Sequence, residues 1–130
     1  MGTEYTFYDY IDADNDGSNV INSWLHNDGS ASKAFFDQII PYLEESPPPW
    51  MSKYTEKMRG KWKGFIEIRK TGSVQYRLLG QMRGRKIYLV ACAIHKAPYY
   101  LTTVTPNKAL LRIEQMDKNP TKYRRYHVYN

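Results

Sequence analysis

The chain has only one cysteine, Cys92, so no disulfide can form within it. It has no uninterrupted apolar run of the about 18 residues that a membrane-spanning helix needs. No apolar stretch of the kind found in secretory signals follows Met1. These absences favour a protein of a reducing, cytoplasmic compartment that has no contact with a membrane.

Acids are scarce in one part of the chain and bases are scarce in the other. Residues 1–50 contain nine acids and one base, whereas residues 51–130 contain four acids and eighteen bases. A strongly basic segment is typical of a protein that binds a polyanion, although a solvated surface with local ion pairs has the same composition. Tyrosine and tryptophan are interleaved with the bases, and cations beside stacking rings favour RNA or another single strand.

One motif, DADNDG at Asp12–Gly17, begins like the calcium-binding loop of an EF-hand. Its twelfth position is Ser23, which cannot supply the bidentate carboxylate of such a loop. The residues before it are aromatic and β-prone, so the entering helix of an EF-hand is also missing. We therefore expect a polar loop that caps a helix beginning near residues 18–19. We expect no calcium, no other metal and no cofactor.

With 130 residues, the chain is long enough for one folded domain. Its apolar content of 42% favours a folded chain over a disordered one. Residues 6–11 predict a short first strand, and two helical patterns follow it. The first helix has one apolar face, formed by Val20, Ile21, Trp24 and Leu25. The second, over residues 31–46, places on a common side Phe35, Ile39, Tyr42 and Leu43. Pro41 predicts a kink or break of this helix near residues 37–40.

Beyond Trp62 the apolar period changes to two, which predicts three antiparallel strands. They cover residues 65–69, 74–81 and 86–94, with turns at residues 70–73 and 82–85. The third strand is almost continuously apolar, which predicts that both of its faces are covered. A last helix begins at Thr105-Pro106, ends before Asn119 and carries on one face Leu110, Ile113 and Met116.

The first two strands of this meander also predict which side chains share a face. Their apolar positions on the helix side are Ile66, Ile68, Tyr76 and Leu78. Aligning them requires a loop of odd length, such as residue 69 opposite residue 75, which places Glu67 opposite Arg77. The open face of the sheet then presents Glu67, Arg69 and Arg77 together.

A set of short motifs resembles a known family in its order and spacing. The motifs are Glu67-Ile68-Arg69, Tyr76-Arg77, the apolar strand Ile87–Ile94, His95-Lys96 and Thr105-Pro106. In this order they are similar to the HigB-like branch, of phage origin, of the RelE/ParE toxin superfamily. The resemblance spans residues 7–119.

The resemblance implies one α+β domain of RelE-like fold over residues 1–120. Such a fold has a small antiparallel sheet, built from the first strand and the three-stranded meander. The two N-terminal helices pack on one face of this sheet, and a C-terminal helix follows. Residues 121–130 form a basic, aromatic tail that the resemblance does not cover.

The resemblance also implies a function, namely the toxin of a type II toxin–antitoxin system. Many such toxins cut mRNA on the ribosome by activating the 2′-hydroxyl of the RNA to attack the adjacent phosphate, without a metal. The implied partners are the ribosome, mRNA and a cognate antitoxin with a helix-turn-helix fold. Because Glu67 stands where some members have lysine, two alternatives stay open: a ParE-like inhibitor of DNA gyrase, and a catalytically degenerate RNA-binding module.

The resemblance assigns roles to five candidate catalytic residues. Arg77 stabilises the phosphate and its transition state, and Arg69 either does the same or forms a structural ion pair with Glu67. Lys96 clamps phosphate. His95 replaces a common lysine and either transfers protons or ends a strand. Tyr99 stacks on a base or assists proton transfer, unless it packs in the core.

Further basic and aromatic residues of the same region are candidates for contacts with the RNA backbone and bases. They are Lys61, Lys63, Lys70, Arg83, Arg85 and Tyr100. Lys61 and Lys63 lie just upstream of the first strand of the meander, and we expect them to contact ribosomal RNA rather than to take part in chemistry.

Overall fold

The computed structural model describes residues 5–12, 18–46, 50, 54–58, 60, 63–96, 99–100, 105–118 and 123–125. In these ranges the chain forms three α-helices: α1 (Val20–Leu25), α2 (Lys33–Glu45) and α3 (Thr105–Lys118). The strands are β1 (Thr6–Asp12), β2 (Ser18–Asn19), β3 (Thr55–Lys57), β4 (Phe65–Lys70), β5 (Val74–Arg83), β6 (Lys86–Lys96), β7 (Tyr99–Tyr100) and β8 (Tyr123–Arg125). The architecture is α+β, as predicted.

The strands form one mixed sheet in the order β2-β1-β6-β5-β4-β3, with β7 paired to β6 and β8 paired to β1. β1 runs parallel to β6, from Thr6 opposite Lys86 to Asp9 opposite Leu89. The prediction of an antiparallel sheet is therefore wrong. Because α1 and α2 separate β1 from the meander, no hairpin ties β1 to β6, and the apolar pattern of β1 does not specify its direction.

Two apolar clusters cover the two faces of the sheet. The cluster on the first face joins α1 and α2 to the strands and contains Phe7, Ile21, Leu25, Phe36, Ile39, Ile40, Leu43, Ile66, Ile68, Leu78, Ile87 and Leu89. The cluster on the second face joins α3 to alternate strand positions and contains Tyr10, Phe65, Leu79, Tyr88, Val90, Ala91, Ile113 and Met116. The prediction that both faces of β6 are covered is confirmed.

The N-terminal helices begin where the sequence predicts, and α2 buries only part of its predicted face, Ile39 and Leu43. Asn19 is the N-cap of α1, and its side-chain oxygen accepts a hydrogen bond from the backbone N–H of Asn22 at 3.0 Å. The predicted break at Pro41 is wrong, because α2 continues through it to Glu45. Tyr42, predicted to be in the core, is 56% exposed.

The buried positions of α2 explain this outcome. They are Phe36, Ile39, Ile40, Leu43 and Glu44, which follow the three- and four-residue spacing of a helix face. Packing of this face on the sheet outweighs the single backbone hydrogen bond that Pro41 removes. Glu44 also fastens α2 to the sheet, since its Oε2 accepts a hydrogen bond from the N–H of Phe7 at 2.9 Å.

A bulge in β6 shapes the second face. Leu79 lies opposite Ala91 and Gly80 lies opposite Leu89, so Val90 is the extra residue. Both Val90 and Ala91 consequently face α3. At Gly80 a Cβ atom would lie 2.9 Å from Cγ2 of Ile87, which explains the glycine at this position.

Polar contacts hold α3 on the bulge. Nη1 of Arg112 donates a hydrogen bond to the carbonyl oxygen of Val90 at 2.5 Å. The same guanidinium lies 5.3 Å from the ring centroid of Tyr10, whose hydroxyl donates to Oε1 of Gln115 at 2.6 Å. Within α3, Ile113 and Met116 are buried as predicted, whereas Leu110 is 40% exposed.

The register of β4 and β5 differs by two residues from the predicted one. Arg69 lies opposite Arg77, and Glu67 lies opposite Leu79 rather than opposite Arg77. A shift of two residues leaves every side chain on its face, because side chains alternate with a period of two. The predicted faces are therefore confirmed, with Ile66, Ile68 and Leu78 on the side of α1 and α2.

Of the DADNDG motif, the structure describes Asp12, which ends β1, whereas residues 13–17 lie outside the described residues. A strand thus stands where an EF-hand has its entering helix, as the sequence predicts. Within the described ranges, none of the helices has both the length and the hydropathy that are needed to cross a membrane.

Candidate functional site

Two glutamates and two arginines lie together on β3, β4 and β5, on the sheet face opposite α1 and α2. Nη1 of Arg69 is 2.8 Å from Oε2 of Glu56 and 3.5 Å from Oε1 of Glu67. Nη1 of Arg77 is 3.2 Å from Oε2 of Glu67. We name Glu56, Glu67, Arg69 and Arg77 the arginine–glutamate cluster.

The strand register explains how this cluster is stable. Glu56 lies directly opposite Glu67, and Arg69 lies directly opposite Arg77. Like charges at directly opposite positions repel each other. The two pairs are nevertheless neighbours on one face, because Glu67 and Arg69 are two residues apart on β4. Each charged side chain therefore has an opposite charge at a diagonal position. Glu67 lies within ion-pair distance of both guanidinium groups and holds them side by side.

The four side chains differ sharply in exposure. Glu67 is 5% exposed, Arg77 14% and Arg69 21%, whereas Glu56 is 58% exposed. The prediction of an open sheet face that presents Glu67, Arg69 and Arg77 is therefore wrong. The exposed member, Glu56, lies on β3 at the end of the sheet order. The cluster thus meets solvent chiefly on the side of Glu56.

Packing by α3 is one reason why this face is covered. Phe65 of β4 and Leu79 of β5 flank the cluster on the same face. Both belong to the apolar cluster that contains Ile113 and Met116 of α3. The sequence predicts the apolar stripe of α3, but a helical stripe does not specify which face of a sheet it covers.

The structure brings further predicted positions next to the cluster. Nη2 of Arg77 donates to Oε1 of Gln75 at 2.6 Å. The backbone of His95 lies directly opposite Gln75, and Lys96 lies opposite Val74. On the other side of β6, β7 places Tyr100 opposite His95 and Tyr99 opposite Lys96. The side chains of these four residues lie outside the described part of the structure.

The predicted RNA-contacting residues lie in other places. Arg83 and Arg85 are exposed at the β5–β6 turn. Arg83 is six residues along β5 from Arg77, which corresponds to about 20 Å at the usual rise of a strand. Arg83 is held by Asp117 of α3 at 2.8 Å and lies 5.7 Å from the ring centroid of Tyr88. These residues form a surface separate from the arginine–glutamate cluster.

Two further candidates of this group lie near the two ends of β4. Lys63 is exposed just before β4, and Lys70 is half-buried at its end. Lys63 also lines, with Lys57, a groove of about 460 Å³ whose walls include Phe65. Lys61 lies outside the described residues.

Cys92 is poorly suited to be a nucleophile. Burial raises the pKa of its thiol well above the usual range, and the nearby carboxylate of Asp9 raises it further, while the guanidinium of Arg112 lowers it. A thiol with a raised pKa stays protonated at neutral pH and reacts slowly. Elsewhere in the described part of the chain, no group of three or more histidine, cysteine, aspartate or glutamate side chains is placed to hold a metal ion.

The main residue that the sequence does not predict in this site is Glu56. It lies on β3, a strand of three residues that is too short to show a clear alternation of apolar and polar positions. The available signal is the pair Tyr54-Thr55, two residue types that favour strands, just before Glu56. Pairing of this segment with β4 brings Glu56 to Arg69.

Comparison of the chain with family models, with curated proteins and with solved structures gives no match. The chemistry of the site is therefore inferred from its own geometry and from the motifs in the sequence. The central geometric fact is the direct pairing of Arg69 with Arg77, joined by Glu67.

Proposed function

We propose that this chain is a RelE-like toxin of a type II toxin–antitoxin system and cleaves mRNA on the ribosome. The observation that carries the proposal is the pair of guanidinium groups, Arg69 and Arg77, held side by side by one buried carboxylate. Two adjacent guanidinium groups match a phosphodiester in charge and in hydrogen-bonding geometry. Such a toxin acts in the cytoplasm.

The reaction is an attack of the RNA 2′-hydroxyl, which loses its proton, on the adjacent phosphorus. A 2′,3′-cyclic phosphate forms, and the bond from phosphorus to the 5′-oxygen of the next nucleotide breaks as that oxygen takes up a proton. Negative charge builds on the phosphoryl oxygens in the transition state, and fixed cations beside them stabilise it. Arg77 is the more firmly fixed of the two arginines, because Glu67 and Gln75 hold its guanidinium, whereas the nearer partner of Arg69 is the exposed Glu56. A fixed donor needs little reorganisation when the charge develops.

The proton transfers require groups near the sugar and the leaving oxygen. We assign them to His95 and Tyr99, with Lys96 as a further phosphate contact. The register supports His95 alone, since its backbone lies opposite Gln75 and thus one row from Arg77. Lys96 and Tyr99 are assigned from the motifs in the sequence. The basic residues at the β5–β6 turn serve in this proposal as contacts with ribosomal RNA.

One observation favours a second candidate function, a catalytically degenerate RNA-binding module. The two arginines of the cluster face two glutamates, so the four side chains carry no net formal charge. A neutral cluster attracts a phosphate less strongly than two unpaired arginines. The ParE-like alternative, inhibition of DNA gyrase, also dispenses with phosphate chemistry at this site.

Ribosome-bound mRNA is the substrate that tests the proposal. Arg77→Ala should lower the rate of cleavage within codons by about 10²–10³-fold, as expected for loss of one fixed donor to a developing oxyanion. Arg77→Lys should recover little of the rate, because an ammonium group lacks the planar fork of guanidinium. Cleavage is measured by primer extension on mRNA in a purified translation system.

Lys118→Ala is the matched control, since Lys118 is a 77% exposed cation at the end of α3. It should leave the cleavage rate unchanged. Cleavage by a folded Arg77→Ala protein at the original rate would remove Arg77 from the mechanism. Binding of RNA without cleavage by the original chain supports the degenerate module instead. Accumulation of cleaved DNA–gyrase complexes with intact mRNA supports the ParE-like alternative.

The proposal includes a cognate antitoxin with a helix-turn-helix fold as the partner that silences the toxin. Expression of the chain alone should arrest growth, and co-expression of the antitoxin should restore it. The gene for such a partner is sought in the adjacent reading frame.

A further inference from the structure

The two carboxylates of the arginine–glutamate cluster differ in a way that bears on ligand binding. Both lie near the same atom, Nη1 of Arg69, with Glu56 at 2.8 Å and Glu67 at 3.5 Å. Glu67 is 5% exposed and also pairs with Arg77, whereas Glu56 is 58% exposed and lies on the edge strand β3. The closer partner of Arg69 is thus the one that solvent reaches.

We propose that Glu56 is an exchangeable counterion, which a phosphodiester of bound RNA displaces from Arg69. Glu67 stays in place during this exchange and keeps both guanidinium groups in register. The inference rests on the proposed binding of RNA at the cluster. It adds a role for Glu56, which occupies the phosphate-binding side of Arg69 in the unbound protein.

The two ion pairs differ in how easily they break. An ion pair with an exposed carboxylate is weak, because water solvates both charges after separation. Glu56 therefore leaves Arg69 at little cost. Glu67 is almost fully buried between two guanidinium groups, and its departure would leave two partly buried cations without this counterion.

The exchange also changes the charge of the site. With Glu56 in contact the four residues have no net formal charge, and after Glu56 moves into solvent the remaining three have a net charge of +1. A phosphodiester, with a formal charge of −1, then restores neutrality. Arg69 thus pairs with the Glu56 carboxylate in the unbound protein and with the phosphodiester in the complex.

The test is the affinity of the full chain and its Glu56→Gln variant for a fluorescein-labelled single-stranded RNA of about 12 nucleotides. Fluorescence anisotropy at low ionic strength gives the dissociation constant. Glu56→Gln should bind about two- to fivefold more tightly, as expected from the strength of the surface ion pair that no longer competes.

Glu114→Gln is the matched control for a general change of charge. Glu114 is 65% exposed on α3 and forms a surface ion pair with Lys118 at 3.8 Å. Glu114→Gln removes one negative charge, as Glu56→Gln does, but at a position away from Arg69. An increase in RNA affinity that is common to both variants is therefore not due to the exchange. Equal gains in the two variants would overturn the proposal.

A second variant assigns the gain to Arg69. In an Arg69→Gln background, Glu56→Gln should no longer tighten RNA binding, because its competitor role requires the guanidinium. Thermal unfolding of each variant checks that the comparison is made on folded protein. A gain that persists without Arg69, or the absence of RNA binding by every variant, would overturn the proposal.

The outcomes separate this inference from the proposed function. Tighter RNA binding by Glu56→Gln, with no cleavage of mRNA by any variant, supports the exchange and contradicts the nuclease. Cleavage that depends on Arg77, with no gain specific to Glu56→Gln, supports the nuclease and contradicts the exchange.

Discussion

At the scale of single residues, Glu67 is the residue that joins the two arginines of the site. It stands where some members of the family that the motifs resemble have lysine, and the structure places it between two guanidinium groups. Its carboxylate is therefore better described as the group that positions Arg69 and Arg77 than as an obstacle to phosphate chemistry. Removing the Glu67 carboxylate would therefore alter the positions of the two guanidinium groups as well as the charge of the site.

The stability of the fold tests this role of Glu67. Glu67→Gln should lower the free energy of unfolding by about 2–4 kcal/mol, because two partly buried guanidinium groups lose a charged partner. The measurement is urea denaturation followed by far-UV circular dichroism. Glu56→Gln is the control and should cost less than about 1 kcal/mol, since its ion pair is exposed. Equal losses in the two variants would contradict the positioning role.

At the scale of elements, the sequence predicts most of the strands and helices and misses what depends on distant contacts. The strands of the meander and the ends of α3 lie where their apolar periods and turn residues indicate. The predicted face of α2 is right at Ile39 and Leu43 and wrong at Tyr42. Packing of the buried face on the sheet also outweighs the local effect of Pro41, so α2 does not break there. The direction of β1 depends on β6, which is 80 residues away in the chain.

The bulge in β6 provides a prediction about an element. Gly80→Ala should destabilise the fold by about 1–3 kcal/mol, because an added Cβ atom would lie 2.9 Å from Ile87 and 3.1 Å from the carbonyl oxygen of Tyr88. Thermal unfolding monitored by calorimetry measures the loss. Thr71→Ala, in the exposed β4–β5 loop, serves as the control and should change stability little. An unchanged melting temperature in Gly80→Ala would show that the strands relax around the extra methyl group.

At the scale of the whole molecule, the sequence predicts which charged residues share a face and does not predict how open that face is. Alternation along β4 and β5 places Glu67, Arg69 and Arg77 together. Two later facts change the site: β3 adds Glu56, and α3 covers the neighbouring apolar positions. Neither is visible in local patterns, since each depends on the docking of a separate segment against the finished sheet.

The exposed arginines at the β5–β6 turn are separate from the arginine–glutamate cluster, and they lead to a prediction about RNA binding by the whole surface. The affinity for single-stranded RNA should fall linearly with the logarithm of salt concentration, because each phosphate contact releases counterions. Arg83→Gln and Arg85→Gln should each reduce the slope by about 0.7, the value for one contact with a single strand.

The control for the surface prediction is Lys33→Gln, a cation of α2 that pairs with Asp37. It should leave the slope unchanged. Anisotropy titrations over a range of potassium chloride concentrations measure it. Identical slopes in all four proteins would place RNA away from the β5–β6 turn.

The parallel pairing of β1 with β6 has a consequence for biosynthesis. During translation, Thr6 emerges long before its partner Lys86, and the hairpins of residues 65–96 can close while β1 still waits beside them. The N-terminal strand therefore joins last among the central strands, although it is made first. A nascent chain of this protein cannot pair β1 with β6 until residues 86–89 have left the exit tunnel, so β1 lacks its parallel neighbour while most of the chain is being synthesised.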